Sequence, residues 1–399
     1  MKYNWEIKSL ADIVQLNPKE SIAKGTIAKK VPMDKLHPFC RDIPEYIFEK
    51  FNGGTKFRNG DTIMARITPC LENGKTAKVD ILNDGEIGFG STEYIVFRAI
   101  DGISDADYLY YLICSPSVRN PAIKSMIGSS GRQRVQIDVI ENLQIEVPPL
   151  EGQRKIGSLL KSLDDKIALN NRINDNLQQQ AQALFKLWFI DFEPFGGILP
   201  VDWKKGTIDD LATDIICGKT PSTKVNEYYG EDIPFITIPD MHNNTYVVAT
   251  ERYLSTIGAT SQEKKTLPQN SICVSCIGTA GLVALTATKS QTNQQINSII
   301  PKKGVSPYYI YLLMKTLYDT INKLGQSGST IVNLNKTQFS KINVLIPTLK
   351  SMSEFDKVLE PVFEMIMFNQ LENIKLCSLR EVLLPKLMSG EINISNIQL

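Results

Sequence analysis

The residues able to do covalent or metal chemistry occur in short clusters, and each cluster lacks a partner. Cys217-Gly218-Lys219-Thr220 ends like a phosphate-binding loop, but position 213 is Thr where the first glycine of such a loop is required. Pro239-Asp240 followed by Glu263-Lys264-Lys265 has the outline of a metal-dependent nuclease triad, yet with 43 acids and 44 bases loose triples arise by chance. Cys273-Val274-Ser275-Cys276 is a lone CxxC without a second pair, and the two histidines, His37 and His242, are too few and too scattered for a zinc site. Adenine methylation needs an Asn/Asp-Pro-Pro-aromatic motif, which Asn17-Pro18-Lys19-Glu20 does not supply. Ile87-Gly88-Phe89-Gly90-Ser91 reads as a bulge or turn rather than a cofactor loop. No motif rises to an enzyme, and no metal site is expected.

A second chemistry fits more of the polar residues. Reading base edges in the DNA major groove uses Arg or Lys against guanine and Asn or Gln against adenine, while Lys, Ser, Thr and loop amides hold phosphates. In the first half of the chain Lys56, Arg58, Arg66, Lys75, Arg132 and Arg134 lie on or beside Gly-rich loops. Arg132 and Arg134 are the strongest pair, since they would alternate on one strand face beside a Ser-Ser-Gly turn. In the second half the candidates are Lys219, Thr220, Ser222, Thr223 and Lys224, with Lys264, Lys265, Gln294 and Gln295. A solvated charge or a structural turn residue is the competing reading for each.

Bulk properties restrain this reading. Net charge is +1 in 399 residues, so the chain is no general polycation, and any nucleic-acid contact needs a local patch. Seven cysteines fit reduced thiols in the cytoplasm, and neither a signal peptide nor an apolar run long enough for a membrane span is expected.

The elements that must position these residues form a repeat. Ile156, Leu160, Leu163, Ile167, Asn170, Asn174, Leu177, Ala181, Leu184 and Trp188 recur 199 positions later as Phe355, Leu359, Val362, Ile366, Asn369, Asn373, Leu376, Arg380, Leu383 and Leu387. Spacings of four and three alternate as in a coiled-coil seam, and only Ala181 against Arg380 breaks the apolar match. Each copy is preceded by a strand-like segment ending in proline, Leu143–Val147 and Ile342–Ile346. Upstream of those, Ser130-Gly131-Arg132-Gln133-Arg134-Val135 resembles Ser327-Gly328-Ser329-Thr330-Ile331-Val332 at an offset of 197. Strands around Thr62 and Ile272 and short helices at Ala106–Cys114 and Pro307–Leu317 give each half an α+β pattern.

The expected order is a first globular domain (1–147), a helix (148–190), a turn-rich linker (191–200), a second domain (201–346), a helix (347–390) and a tail (391–399). Antiparallel pairing would bring Asn170, Asn174, Asn369 and Asn373 together to satisfy one another, and polar seam residues of this kind fix register. Each helix, at about 35 residues, would span roughly 50 Å.

Gly54 to Lys75, Gly218-Lys219-Thr220-Pro221-Ser222-Thr223-Lys224 and Ile233 to Met241 resemble target recognition domains of the specificity subunits of Type I restriction–modification systems. Val147-Pro148-Pro149-Leu150-Glu151-Gly152-Gln153-Arg154-Lys155-Ile156 is similar to that family's approach to its spacer helix; the second copy departs, with Thr348 for a proline and Ser351 for the glutamine. The resemblance implies a non-catalytic subunit. Its two recognition domains would read the halves of an interrupted double-stranded DNA target, with the helices as spacers. Two methyltransferase subunits would carry S-adenosylmethionine, and restriction or translocase subunits would carry ATP and Mg. The aromatic run around Phe185, Trp188 and Phe189 exceeds what a two-helix seam buries and is the candidate docking surface for the methyltransferase subunits. The alternative function is a standalone coiled-coil interaction scaffold without sequence-specific DNA binding.

Overall fold

The computed structural model describes residues 5–326 and 332–393, so the Ser327–Ile331 part of the repeated Gly/Ser loop lies outside the described residues. Two compact units result. The first comprises residues 1–169 with 374–399, and the second is the continuous stretch 170–373.

Both units use one β framework. In the first, Val14–Leu16, Tyr94–Ala99, Thr62–Ala65 and Thr76–Lys78 form an antiparallel sheet in that order. In the second, Ala212–Cys217, Ile296–Pro301, Ile272–Ser275 and Val283–Thr286 repeat it, with Tyr246–Val247 added at the edge. A smaller sheet follows the same rule, pairing Ile27–Val31 parallel to Gly88–Gly90 in one unit and Ile233–Ile236 parallel to Gln291–Thr292 in the other.

The strands expected before each long helix are present. Gln144–Val147 pairs antiparallel with Glu6–Ser9, and Asn343–Ile346 with Lys204–Thr207. In the first of these, Ile145 and Val147 turn inward while Gln144 and Glu146 face solvent, the alternation a half-buried strand requires. The short helices lie at Ala106–Cys114 and Pro307–Thr316; Asp105 caps the first through the amides of Asp107 and Tyr108, and Ser306 caps the second through Tyr309 N at 2.9 Å.

The long helices run Leu150–Phe189 and Leu349–Met388. In the second unit they pair antiparallel. Asn170 meets Asn373, Asn174 meets Asn369, and Phe185 meets Phe355 with ring centroids 6.4 Å apart. The four seam asparagines meet in crossed pairs as expected, but they do not fully satisfy one another: the buried Asn170 Oδ1 has no partner among the described residues. Asn369 Nδ2 donates to Asn174 Oδ1 at 2.8 Å, and Asn170 Nδ2 to Asn373 Oδ1 at 2.9 Å and to Glu372 at 2.7 Å. Asn373 in turn donates to Asn171 at 2.8 Å.

The seam itself differs from a strict heptad. Leu160, Leu359 and Ile366 are fully buried, whereas Leu163, Ile167, Leu177, Val362 and Leu376 are only half buried. Phe363, off the expected register, is fully buried against Tyr308, stacked at 4.5 Å. Each helix also packs on a β framework, with Ile156, Leu160 and Leu387 in the core of the first unit and Phe185, Phe355 and Leu359 in that of the second, so its apolar arc is broader than a two-helix seam. In the first unit that broader arc includes Asp164, which is paired with Arg380 and accepts a hydrogen bond from Tyr111 at 2.6 Å. The single mismatch in the repeat is thus an ion pair.

The aromatic run corrects another expectation. Phe185 and Phe189 are core residues of the second unit, packed on Tyr309, Phe355 and, for Phe189, Trp203. Trp188 lies half buried between Phe355 and Phe195. The excess aromatic surface seats the C-terminal half of this helix on the framework of the second unit, which leaves Phe185 and Phe189 nothing to offer a partner.

Candidate nucleic-acid interface

In each unit three loops meet at one junction held by matching backbone hydrogen bonds. In the first, Arg66 N donates to Glu93 O at 2.9 Å, Val135 N to Arg66 O at 2.9 Å, and Thr68 N to Gln133 O at 3.0 Å. In the second, Cys276 N donates to Gln295 O at 2.8 Å, Leu334 N to Cys276 O at 2.9 Å, and Gly278 N to Val332 O at 3.0 Å. Single β-bridges complete both, Ile67 with Arg134 and Ile277 with Asn333. The sequence alignment at 197 sets Arg134 against Ile331, but the hydrogen bonds make Asn333 its counterpart.

Arg132 and Arg134 do not alternate on a strand. Arg132 closes a turn, its N–H donating to Ser129 O at 3.0 Å, and Arg134 makes isolated bridges only, because the glycines of this loop break the ladder. Arg134 is exposed yet fixed: its Nε and Nη2 engage both carboxylate oxygens of Glu93, at 2.9 and 2.6 Å. The guanidinium holds Glu93 below the usual carboxylate range.

The remaining candidates of the first unit are more structural than expected. Arg58 pairs at 2.6 Å with Glu20, which Arg98 also binds at 2.7 Å while gripping Asp61 with its other nitrogens. Burial would raise Glu20, but these two arginines overcome it and keep the carboxyl low. Lys75 donates to Met33 O at 2.9 Å, Lys56 sits 5.1 Å from the Phe51 ring centroid, and Arg66 reaches Val135 O at 3.3 Å. Lys75 and Arg66 therefore brace the loops at the junction, whereas Arg58, with Glu20, Asp61 and Arg98, lies at the opposite end of strand Thr62–Ala65 and is not brought to it.

In the second unit the structure brings several candidates together. Thr220 Oγ1 donates to Gln294 Oε1 at 2.7 Å, Lys265 Nζ donates to Cys217 O at 2.9 Å, and Gln295 Oε1 accepts from Asn293 at 3.0 Å. Gly218 makes this possible: a Cβ there would lie 2.1 Å from Asn293 O and 2.3 Å from Thr292 O. Lys219, Ser222, Thr223, Lys224 and Lys264 are exposed on the same or adjoining loops. Sequence reasoning missed Glu93 and Asn333. Glu93 is acidic and carries no DNA-binding signal of its own; Asn333 stands two residues beyond Ile331, the position that the 197-residue offset sets against Arg134.

Two copies of one framework with different polar side chains at equivalent loop junctions define a tandem recognition protein. The family model described as the Type I restriction modification DNA specificity domain matches the chain twice, over residues 2–179 and 200–376. The HindI specificity subunit of Haemophilus influenzae is 34% identical, covering 84% of this chain and 87% of that protein. The MjaIX specificity subunit of Methanocaldococcus jannaschii is 24% identical over 74% of this chain and 71% of its own. Among solved structures, the Type I S subunit from M. genitalium shares the fold, with a TM-score of 0.61, 14% identity and 96% coverage of both chains. The chain belongs to the Type I restriction–modification specificity family, and its role is that of the DNA sequence-specificity subunit of such a complex. Among the described residues no helix is long and apolar enough to cross a membrane.

Proposed function

We propose that each unit reads one half of a bipartite double-stranded DNA target, and that the chain itself performs no catalysis. The observation that carries this reading is the repeated junction, where one hydrogen-bond framework holds Arg134 and Glu93 in the first unit and Asn333 and Gln295 in the second. A shared scaffold with different donor and acceptor patterns is what reading two different half-sites requires. The paired helices are the spacer. The cytoplasmic complex would add two methyltransferase subunits that use S-adenosylmethionine, and restriction or translocase subunits that use ATP and Mg.

Docking of the methyltransferase subunits is assigned to the outer face of the second helix rather than to Phe185 and Phe189. Val358, Met365, Phe368 and Leu371 are all exposed there, with Phe368 at 60%. A row of large apolar side chains along one helix marks an interaction surface more often than a solvated one. The test of the DNA reading compares methylomes of cells with and without this gene while the modification partner is expressed. One interrupted motif should disappear on deletion. Its persistence would overturn the reading.

A further inference from the structure

The two junctions differ in a way that carries chemical information. Arg134 has five N–H donors, and Glu93 uses one on Nε and one on Nη2. The edge turned away from Glu93 keeps a donor on Nη2 and both donors on Nη1, a paired set suited to two adjacent acceptors. Guanine presents that pattern in the major groove, at O6 and N7. Because the carboxylate grips the guanidinium from behind, the fork is held in orientation before DNA arrives, and Glu93 acts as a positioning residue. At the equivalent place in the second unit stands exposed Asn333, bridged to Ile277. Its carboxamide offers one donor and one acceptor side by side, the complement of adenine N7 and N6.

We infer that this junction is the base-reading position of both units, with Arg134 selecting a guanine in one half-site and Asn333 an adenine in the other. The inference rests on the reading that each unit recognises one half of a bipartite target.

The experiment uses the full-length chain, expressed with its modification subunits in a host lacking other adenine methylation, and reads the motif from genomic DNA. Arg134→Lys keeps the charge but loses the planar fork. It should relax discrimination at one guanine of one half-site by about ten-fold or more and leave the other half unchanged. Glu93→Gln should relax the same guanine to a lesser degree. Asn333→Ala should relax one adenine in the opposite half. A misfolded variant would instead lose methylation evenly at all sites, and melting curves of the purified chain identify it; Arg134→Gln and Asn333→Ser then serve as replacements. A wild-type complex that marks no bipartite motif overturns the half-site reading and this inference with it. A wild-type motif that survives unaltered in the folded variants, or relaxes in the wrong half or at a pyrimidine, overturns the inference alone.

Discussion

Asn170 pairs with Asn373 at 2.9 Å, and Asn174 pairs with Asn369 at 2.8 Å, so each asparagine meets the repeat of the other rather than its own. Only an antiparallel pairing of two copies in identical register produces that exchange. Asn174→Leu should cost about 1–3 kcal/mol, because the buried Asn369 amide loses its acceptor. Replacing both Asn174 and Asn369 with Leu should recover most of that loss. Urea unfolding of the single and double variants measures it, and strictly additive losses would show that the amides are not coupled.

Arg380 and Asp164 are both largely buried, at 13% and 5% side-chain exposure. Arg380→Ala leaves the Asp164 carboxylate without its cation, an arrangement that typically costs about 3–5 kcal/mol. Denaturant titration of this variant should show the loss. A change below about 1 kcal/mol would mean that Asp164 finds another partner, since exposed pairs contribute only that much.

Asp356 is pushed up to about 6 by burial, with Glu360 adding to the rise and a hydrogen bond from Ser306 opposing it. A carboxyl raised in the folded state favours folding at low pH. That contribution is complete below the ordinary carboxylate range and fades as pH rises through about 6. Asp356→Asn should therefore flatten the stability profile between roughly pH 4 and 6 and leave the variant relatively more stable above it. Melting temperatures across pH, compared with wild type, provide the check; parallel profiles would count against a raised Asp356.

Gly218→Ala would force apart the loops carrying Thr220 and Gln294, since the new methyl meets two backbone carbonyls. Overpacking of this kind costs about 1–3 kcal/mol. The variant should melt earlier and weaken DNA binding through the second unit, measured by fluorescence anisotropy on the cognate duplex. Unchanged affinity in a destabilised variant would place the DNA contacts elsewhere.

Met365→Glu with Phe368→Glu should leave the melting temperature nearly unchanged while reducing co-purification of the methyltransferase subunit. Phe185→Glu should instead unfold the second unit, because that ring is buried among Phe189, Tyr309 and Phe355. Full recovery of the complex by the double variant would remove the outer helix face from consideration.

The repeat, the helices, their Asn layer and the α+β framework were legible in the sequence because they depend on periodicity and local turn chemistry. Strand Gln144–Val147 follows from alternation and the proline behind it. The fate of Phe185 was not legible: periodicity identifies an apolar face but not which surface covers it. Arg380 was visible as a break in the pattern, while its partner Asp164 lies on the other helix and has no local signal. The candidate site was least legible. Whether Arg134 is braced by Glu93 depends on a contact spanning 41 residues, and loop registers such as Asn333 against Arg134 are set by backbone hydrogen bonds that composition does not encode.

The first unit is discontinuous in sequence, and Leu387 and Met388 help to fill the core that contains Ile156 and Leu160. On a ribosome the chain emerges from its N-terminus, so the second unit has all its residues outside the tunnel before the first has received its closing helix. The domain made first is therefore the one finished last. Until the C-terminal segment arrives, its exposed apolar groove is an incomplete nascent surface for chaperones to shield.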